Sequence, residues 1–360
     1  MKKVLEIFTF QGGYMGGVAT MVDAYMKGVE EFSCNNCKLA HLNIPLTVNT
    51  GNAKIDNFAY IFTQRKAVRK YMDKNCFDVV HIHTSREFLF LKDVLLAKMI
   101  RKKYHTPVVM TIHVGSIHTV YRRIEWFKRR SIYLLNKYVD KTIFLSKVMC
   151  QDFIQTGLNT NCAVVLYNFY NFSITRKQET QKSNILQLLY VGAIHREKGI
   201  VELLKALSEL PNFKYHLNVC GKFTDNSIKD EVESLKILLG EKVSFLGYVA
   251  GEAKTKLFFN SDILILPSYH EGLPLVIMEA LGAGCAIMTT AVGSIPEVLH
   301  SENCMWVEVA SIDSIKNQLN SLTDEQLNAM KENNKKLSLT FTFGEHIKQL
   351  AGIYNDICKK

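Results

Sequence analysis

The chain has 360 residues, 48% of them hydrophobic, and a formal net charge of +10. That length suggests about two domains, at roughly 150 residues each, and the apolar content argues against a disordered chain. No window reaches about 18 apolar residues without charge, so no transmembrane helix is expected, and the apolar stretch after Lys2 and Lys3 is too short for a signal peptide.

Along the chain, β-rich runs alternate with helical patterns. VLEIFTF (4–10) reads as a buried strand ending at glycines, and VATMVDAYMKGV (18–29) as a helix. Cys34-Asn-Asn-Cys37 is a lone CxxC without the two further ligands zinc needs, so the nine cysteines read as reduced thiols of a cytosolic chain. A strand at Asp78–His83, a helix at Phe88–Ile100, a strand at Pro107–His113, a helix at Ile124–Val139 and a strand at Lys141–Leu145 follow. Such alternation predicts a parallel sheet covered by helices. Polar residues 175–184 read as a linker, after which the pattern restarts. Strands are expected at 186–191, 215–219, 243–246 and 263–266, and helices at 200–207 and 229–239. Phe341–Lys360 reads as a helix set apart from the second core by the polar run Lys331–Lys336.

Charge is unevenly distributed. Residues 1–180 hold 26 Lys+Arg and 13 Asp+Glu, a net of +13, and residues 181–360 hold 18 and 21, a net of −3. Nine cations between Lys98 and Arg130 face one acid, Glu125. Such a patch suits anionic lipid headgroups, nucleic acid or an anionic substrate, or is simply a solvated helix face.

In α/β sheets of this kind ligands bind beyond the carboxyl ends of the strands, so a site is expected on the post-strand loops. In HEGLPLVIMEALGAG (270–284), Pro274 fits a helix start, Leu275–Leu281 is apolar all round, and Gly282 or Gly284 supplies the stop. Glu271 then lies in the loop and Glu279 inside a buried helix, roughly 7–8 Å further along at the usual rise. A buried carboxylate needs hydrogen-bond donors. Vicinal hydroxyls of a sugar or ribose would supply two, and free N–H groups around Gly272, Leu273 and Leu275 would favour a phosphate or sugar oxygen. Alternatively, Glu279 pairs with a basic residue of its own domain and Glu271 is merely exposed. In VGAIHREKG (191–199), Arg196 and Lys198 follow a strand and precede a helix, which suits a diphosphate or a solvated basic loop. QGGYMGGVATM (11–21) would let a ligand approach the backbone or is a plain turn. It is not GxGxxG, and no GxxxxGK[ST] and no Asp-x-Asp occurs in the chain. His81 and His83 share one strand face and read as packed side chains. His113, at a strand end, is the better candidate for chemistry.

Together these segments resemble the retaining glycosyltransferases of family 4, which have the GT-B fold. The Glu-x7-Glu motif matches at Glu271 and Glu279, the early glycine loop at Gly16, Gly17 and Val18, and the first-domain histidine at His113. DKTIFLS (140–146) and YNFYNF (167–172) match the end of the first domain. VGAIHREKG matches the diphosphate loop, FLGYV (245–249) the base-contact loop and AVGSIPEVL (291–299) the segment after the motif. One position departs: Ala193 stands where the family usually has arginine, and Arg196 is the nearest candidate to replace that cation.

The resemblance implies two doubly wound Rossmann-like domains facing across a cleft. It places the acceptor-side domain at 1–174, the linker at 175–184, the nucleotide-sugar domain at 185–340, and at 341–360 a helix crossing back to the first domain. It further implies transfer of a sugar from a nucleotide diphosphate, most often uridine diphosphate, to an acceptor hydroxyl, with retention and without metal or other cofactor. Glu271 would hold donor-sugar hydroxyls, Glu279 the ribose and Lys198 the departing diphosphate. Backbone groups of Gly272, Leu273 and Leu275, with Pro274 between them, would line sugar and phosphate. Gly247 and Tyr248 would lie near the base, and Gly16, Gly17 and His113 would face the donor. With the basic first half, the expected setting is the cytoplasmic face of an anionic membrane, with a lipid-linked glycan acceptor of surface-polysaccharide synthesis. Nucleic acid is not an expected partner, because the basic patch is not interleaved with a known recognition motif. A retaining hydrolase, which needs two carboxyls about 5 Å apart across one bond, and an inactive scaffold of the same fold stand as alternatives.

Overall fold

The computed structural model describes residues 1–8, 17–44, 53–84, 90–113, 125–172 and 185–359. Glycine-loop residues through Gly16, the segment 114–116 after His113, Arg122, Arg123 and the linker at 175–184 lie outside them. The chain forms two compact units, Met1–Tyr167 with Gly344–Lys360, and Asn168–Phe343.

The first unit contains β1 (Lys2–Phe8), α1 (Gly17–Lys27), α2 (Val29–Cys34), β2 (Cys37–Asn43), α3 (Ala53–Met72), β3 (Val79–Thr84) and α4 (Phe90–Tyr104). Then come β4 (Val108–Ile112), α5 (Glu125–Tyr138), β5 (Lys141–Phe144), α6 (Lys147–Gln155) and β6 (Ala163–Val165). The second unit contains β7 (Leu186–Val191), α7 (Ile200–Ser208), β8 (Tyr215–Cys220), α8 (Lys229–Leu239), β9 (Val243–Gly247), α9 (Gly251–Phe259) and β10 (Ile263–Leu266). It continues with α10 (Leu275–Ala283), β11 (Ala286–Thr290), β12 (Cys304–Val307), α11 (Ile312–Ser321) and α12 (Asp324–Ser338). α13 (Phe343–Ile357) closes the chain, and nearly all of it belongs to the first unit.

Both sheets are six-stranded and parallel. Their orders are β2-β1-β3-β4-β5-β6 and β12-β11-β10-β7-β8-β9. Each order reverses once, beside β1 in the first sheet and between β7 and β10 in the second. Because crossovers are right-handed, the helices before and after a reversal cover opposite faces, so both units are doubly wound. Burial on two faces explains the continuous apolar strands: β4, β10 and β11 are buried at every residue. The cores form around residues such as Leu5, Ile82, Phe144 and Phe153 in the first unit and Leu188, Ile265, Met288 and Ile315 in the second.

Register is pinned by one repeated device. Asp78, Asp140 and Asp262 each stand immediately before a strand. Each carboxylate accepts from a backbone N–H of the neighbouring strand's start: Lys3 at 2.7 Å, Val108 at 2.8 Å and Gln187 at 2.9 Å. Each aspartate's own N–H returns a bond to the same neighbour's carbonyl. The clasp fixes which residues pair, and in a two-faced sheet a one-residue slip would turn every side chain over.

Three expectations shift. The contact boundary falls between Tyr167 and Asn168 rather than at 174. Lys331–Lys336 lies inside α12, not between elements: Asn334 there is fully buried, and its amide donates to the carbonyls of Cys285 and Asn303. Pro274 is the residue before α10 rather than within its first turn, and Gly284, at φ +68°, ends that helix.

Candidate active site

The reversal between β7 and β10 puts their two loops side by side, where an open α/β sheet binds its ligand. The loop after β7 folds into a single 3-10 turn, Arg196–Lys198, capped by the His195 ring, whose Nδ1 accepts from the Glu197 N–H. Gly199 follows at φ +69°, and a Cβ there would lie 2.1 Å from the Pro267 carbonyl oxygen, so only glycine lets the two loops approach this closely. The Tyr269 N–H donates to the Glu197 carbonyl at 2.8 Å and ties the loops again.

This contact brings Lys198 to Glu271: Nζ donates to Oε1 at 2.7 Å, and the carboxylate is largely shielded from solvent. Glu279 lies in α10, where its Oε1 accepts from Lys254 of α9 at 2.6 Å, while Oε2 is buried without a hydrogen-bond partner. Burial raises the Glu279 pKa, and Lys254 pulls it back only in part. The two carboxylates therefore have separate partners. Glu279 retains an orphan acceptor, which at a buried site costs on the order of 1–3 kcal/mol unless a donor arrives.

The α10 N-terminus completes the rim. Gly272 is exposed with open space over its Cα, Leu273 is buried with its carbonyl held by the Asn168 amide at 2.7 Å, and Leu275 begins the helix. First-turn N–H groups of a helix have no partner within it and favour an anion. Gly293 packs against the Glu271 carbonyl so tightly that a Cβ would approach it to 1.9 Å, which fixes the loop from outside. At the end of β9, Gly247 has φ +67° and Tyr248 is exposed under the Lys222 ammonium, 5.6 Å from the ring centre.

Arg196 is not brought into this group. Its guanidinium donates to Glu231 of α8 at 2.7 Å, and Lys205 holds the other oxygen of the same carboxylate at 2.6 Å. The cation expected to stand in for the arginine missing at Ala193 is already engaged elsewhere.

Two family models match the chain in succession. The model "Glycosyl transferases group 1" matches residues 171–337 and "Glycosyltransferase Family 4" matches 35–173. The chain belongs to glycosyltransferase family 4.

A protein of the cps region of Klebsiella pneumoniae is 28% identical over 242 residues, 64% of this chain and 64% of its own length. The crystal structure of a glycosyltransferase from Rickettsia africae covers 100% of this chain and 99% of its own at a TM-score of 0.77 and 16% identity. Anabaena HepE, solved with UDP and glucose, covers 99% of this chain and 100% of its own at 0.71 and 16%. At such identities the structures show the shared GT-B fold.

In the first unit of this family member, Gly17 opens α1 and His113 follows β4. His113 bonds the His83 ring across 3.2 Å, Nε2 to Nδ1. Behind them lies a polar core that sequence reading missed. Glu6 of β1 is fully buried, with His41, His81 and His83 ring nitrogens at 3.4, 3.6 and 3.9 Å. Burial raises its pKa, but these imidazoles outweigh that and hold the carboxyl well below its usual range. Burial pushes His81 down to about 4, and His113 and His346 also fall well below the ordinary imidazole value. The His346 Nδ1–H donates to the Tyr167 carbonyl, so its Nε2 accepts from the Tyr25 hydroxyl. Glu6, His81 and His83 could present three ligand atoms to a metal. His81, however, already spends Nδ1 on Tyr354 and Nε2 on Thr111, both at 2.7 Å, while both Glu6 oxygens and His83 Nε2 are buried without a hydrogen-bond partner, so the imidazoles offset the Glu6 charge from a distance rather than through close hydrogen bonds.

Glu279 does pair with a basic residue of its own domain, the alternative the sequence left open, but nothing in GEAKTKL, which carries Lys254 and Lys256, shows that Lys254 is the one that faces it. Tyr190 supports the loop after β7 by donating to the Ala193 carbonyl at 2.8 Å.

Proposed function

We propose that the protein transfers a sugar from a nucleotide diphosphate sugar, with UDP as the preferred nucleotide, to an acceptor hydroxyl, with retention and without a metal. The observation that carries this reading is the grouping of Lys198, Glu271 and the half-satisfied Glu279 at the strand-order reversal of the second sheet. As the glycosidic bond breaks, negative charge grows on the leaving phosphate. A preorganised Lys198 ammonium and the α10 N-terminus would lower that barrier. Once the donor draws Lys198 to its phosphate, Glu271 is released to accept from the sugar hydroxyls. The free Glu279 oxygen takes a ribose hydroxyl, and Gly247 with the Tyr248 ring offers a surface for the base.

For the acceptor we infer a lipid-linked glycan of surface-polysaccharide synthesis, met at the cytoplasmic face of an anionic membrane. Among the described residues no helix is long and apolar enough to cross a membrane. α5 instead presents exposed Trp126 and Tyr133 on a helix that also bears Arg129, Arg130 and Lys137, the composition of an interfacial helix.

A panel of nucleotide sugars, followed by mass spectrometry for slow donor hydrolysis, tests the core reading, and the anomer of the released sugar reports stereochemistry. Hydrolysis of one donor that survives a metal chelator is expected. Cleavage of a simple glycoside without nucleotide would establish the hydrolase alternative instead. In the same assay Glu271→Ala should chiefly lower turnover and Glu279→Ala chiefly donor affinity, and the opposite pattern would overturn that division.

A further inference from the structure

On one face of the first sheet, α4 packs between α3 and α5. Between α3 and α4 runs a groove of about 360 Å³ lined by Arg65, Arg69, Lys98, Lys102 and Lys103, with the apolar Leu95 and Met99. Among the described residues, five cations and no acid line it. Lys103 is held outside by Asp73 at 2.7 Å. Among the described residues the other four form no ion pair with a carboxylate.

The arrangement runs against helix electrostatics. Arg65 and Arg69 are four residues apart on α3, and Lys98 and Lys102 four apart on α4, spacings at which like charges repel. Helices of the second unit place opposite charges at such spacings, as in Glu233–Lys236, Glu252–Lys256, Asp313–Lys316 and Glu332–Lys335. The two repelling pairs share one groove, and among the described residues no carboxylate pairs with them.

A second observation points to a ligand. The Arg65 Nε is buried without a hydrogen-bond partner. Its Nη2 reaches only the Leu95 carbonyl at 3.5 Å, and the Arg69 Nε reaches only the Met99 sulfur at 3.3 Å. Two guanidinium forks thus have most of their donors unspent beside two ammonium groups. Burial, and then the neighbouring Arg69 charge, lower the Arg65 pKa, the direction expected of a cation lacking its anion.

We propose that the α3–α4 groove is a binding site for a diphosphate group. Guanidinium forks match phosphate oxygens in pairs, and four unpaired positive charges suit a diphosphate better than a single phosphodiester. The group has two possible sources, a free pyrophosphate-type ion or the headgroup of a diphosphate-linked lipid. The site lies wholly in the first unit and does not depend on the sugar-transfer reading.

The test uses the full chain carrying Lys198→Ala, so that the second unit's cation does not contribute. Calorimetric titration with pyrophosphate at low salt should give one site, weakened at least tenfold by Arg65→Gln with Lys98→Gln and unchanged by Arg129→Gln with Arg130→Gln. Co-sedimentation with vesicles containing a polyprenyl diphosphate lipid, against vesicles of neutral lipid alone, separates the sources. Groove-dependent binding to the first vesicles without pyrophosphate binding assigns the lipid. Equal binding by the groove variant and its parent in both arms, or no binding in either, overturns the proposal. Circular dichroism establishes that the variants are folded.

Discussion

The two units share a sheet plan and a register clasp, yet they put polar chemistry in different places. In the second unit the central strands are apolar, and the proposed donor-binding groups sit on loops beyond their ends, with Lys198 and Glu271 brought together by the close contact between Gly199 and Pro267. In the first unit ionisable groups enter the strands themselves: Glu6, His81 and His83 are buried inside the sheet, and the unpaired charge is on the helices outside. A charged group on a loop can exchange its partner for a ligand at small cost. One inside a sheet has only the fold to offset it, as the three imidazoles around Glu6 do. The first arrangement suits turnover and the second makes the fold answer to pH.

The largest effect that would sharpen this contrast is at Lys198. Lys198→Ala should lower kcat by about 10²–10³-fold, the usual loss for one preorganised transition-state donor, with little change in unfolding midpoint. A strongly lowered midpoint would make the lysine a structural residue and erase the contrast.

Acid should next reveal the first unit. His81 has a folded pKa of about 4 and His346 of about 3, both depressed by burial, against about 6.5 when unfolded. Between pH 6.5 and those values the unfolded chain takes up protons that the folded chain refuses. Stability is therefore complete above 6.5 and falls as pH drops, by roughly 2 kcal/mol per imidazole between pH 6.5 and 5. Glu6, whose pKa is lowered, adds its own loss only below about 4.5. Urea midpoints from pH 7.5 to 5 should decline steeply, and His81→Asn should flatten the slope. A flat wild-type profile would break the comparison.

Asp262→Ala removes one acceptor of the shared clasp and the Lys331 ion pair at 2.6 Å. A cost of about 1.5–3 kcal/mol in chemical denaturation is expected, the range for hydrogen bonds to charged groups. The smallest effect belongs to Arg196→Ala. The Arg196 side chain is 46% exposed and tied to Glu231, so donor affinity measured by titration should change less than about threefold, as for most surface pairs. A larger loss would mean that it leaves Glu231 for the donor.

Much of this was legible in the sequence because it is local. Strand–helix alternation gave the parallel sheets, and motif spacing placed Glu271, Glu279 and Lys198 on the right elements. What stayed hidden was pairing. No spacing rule says that Lys254 meets Glu279, that Glu231 captures Arg196, or that Glu6 is surrounded by imidazoles drawn from two neighbouring strands. Those partners are set by which strands become neighbours, a property of the whole sheet. Lys331–Lys336 misled for a related reason: a polar run reads as a break, whereas Asn334 within it satisfies buried carbonyls through its amide.

The aspartate clasps stand before their strands, at the end opposite the loops that carry Lys198, Glu271 and His113. Alignment of the sheet is thus settled at one margin, away from the loops of the proposed donor site at the other. For engineering, this separates two design variables. Under the proposed function, exchanging the loops at 192–199 or 267–274 with those of other enzymes of the family is expected to alter donor choice, while the three aspartates hold the strands in step.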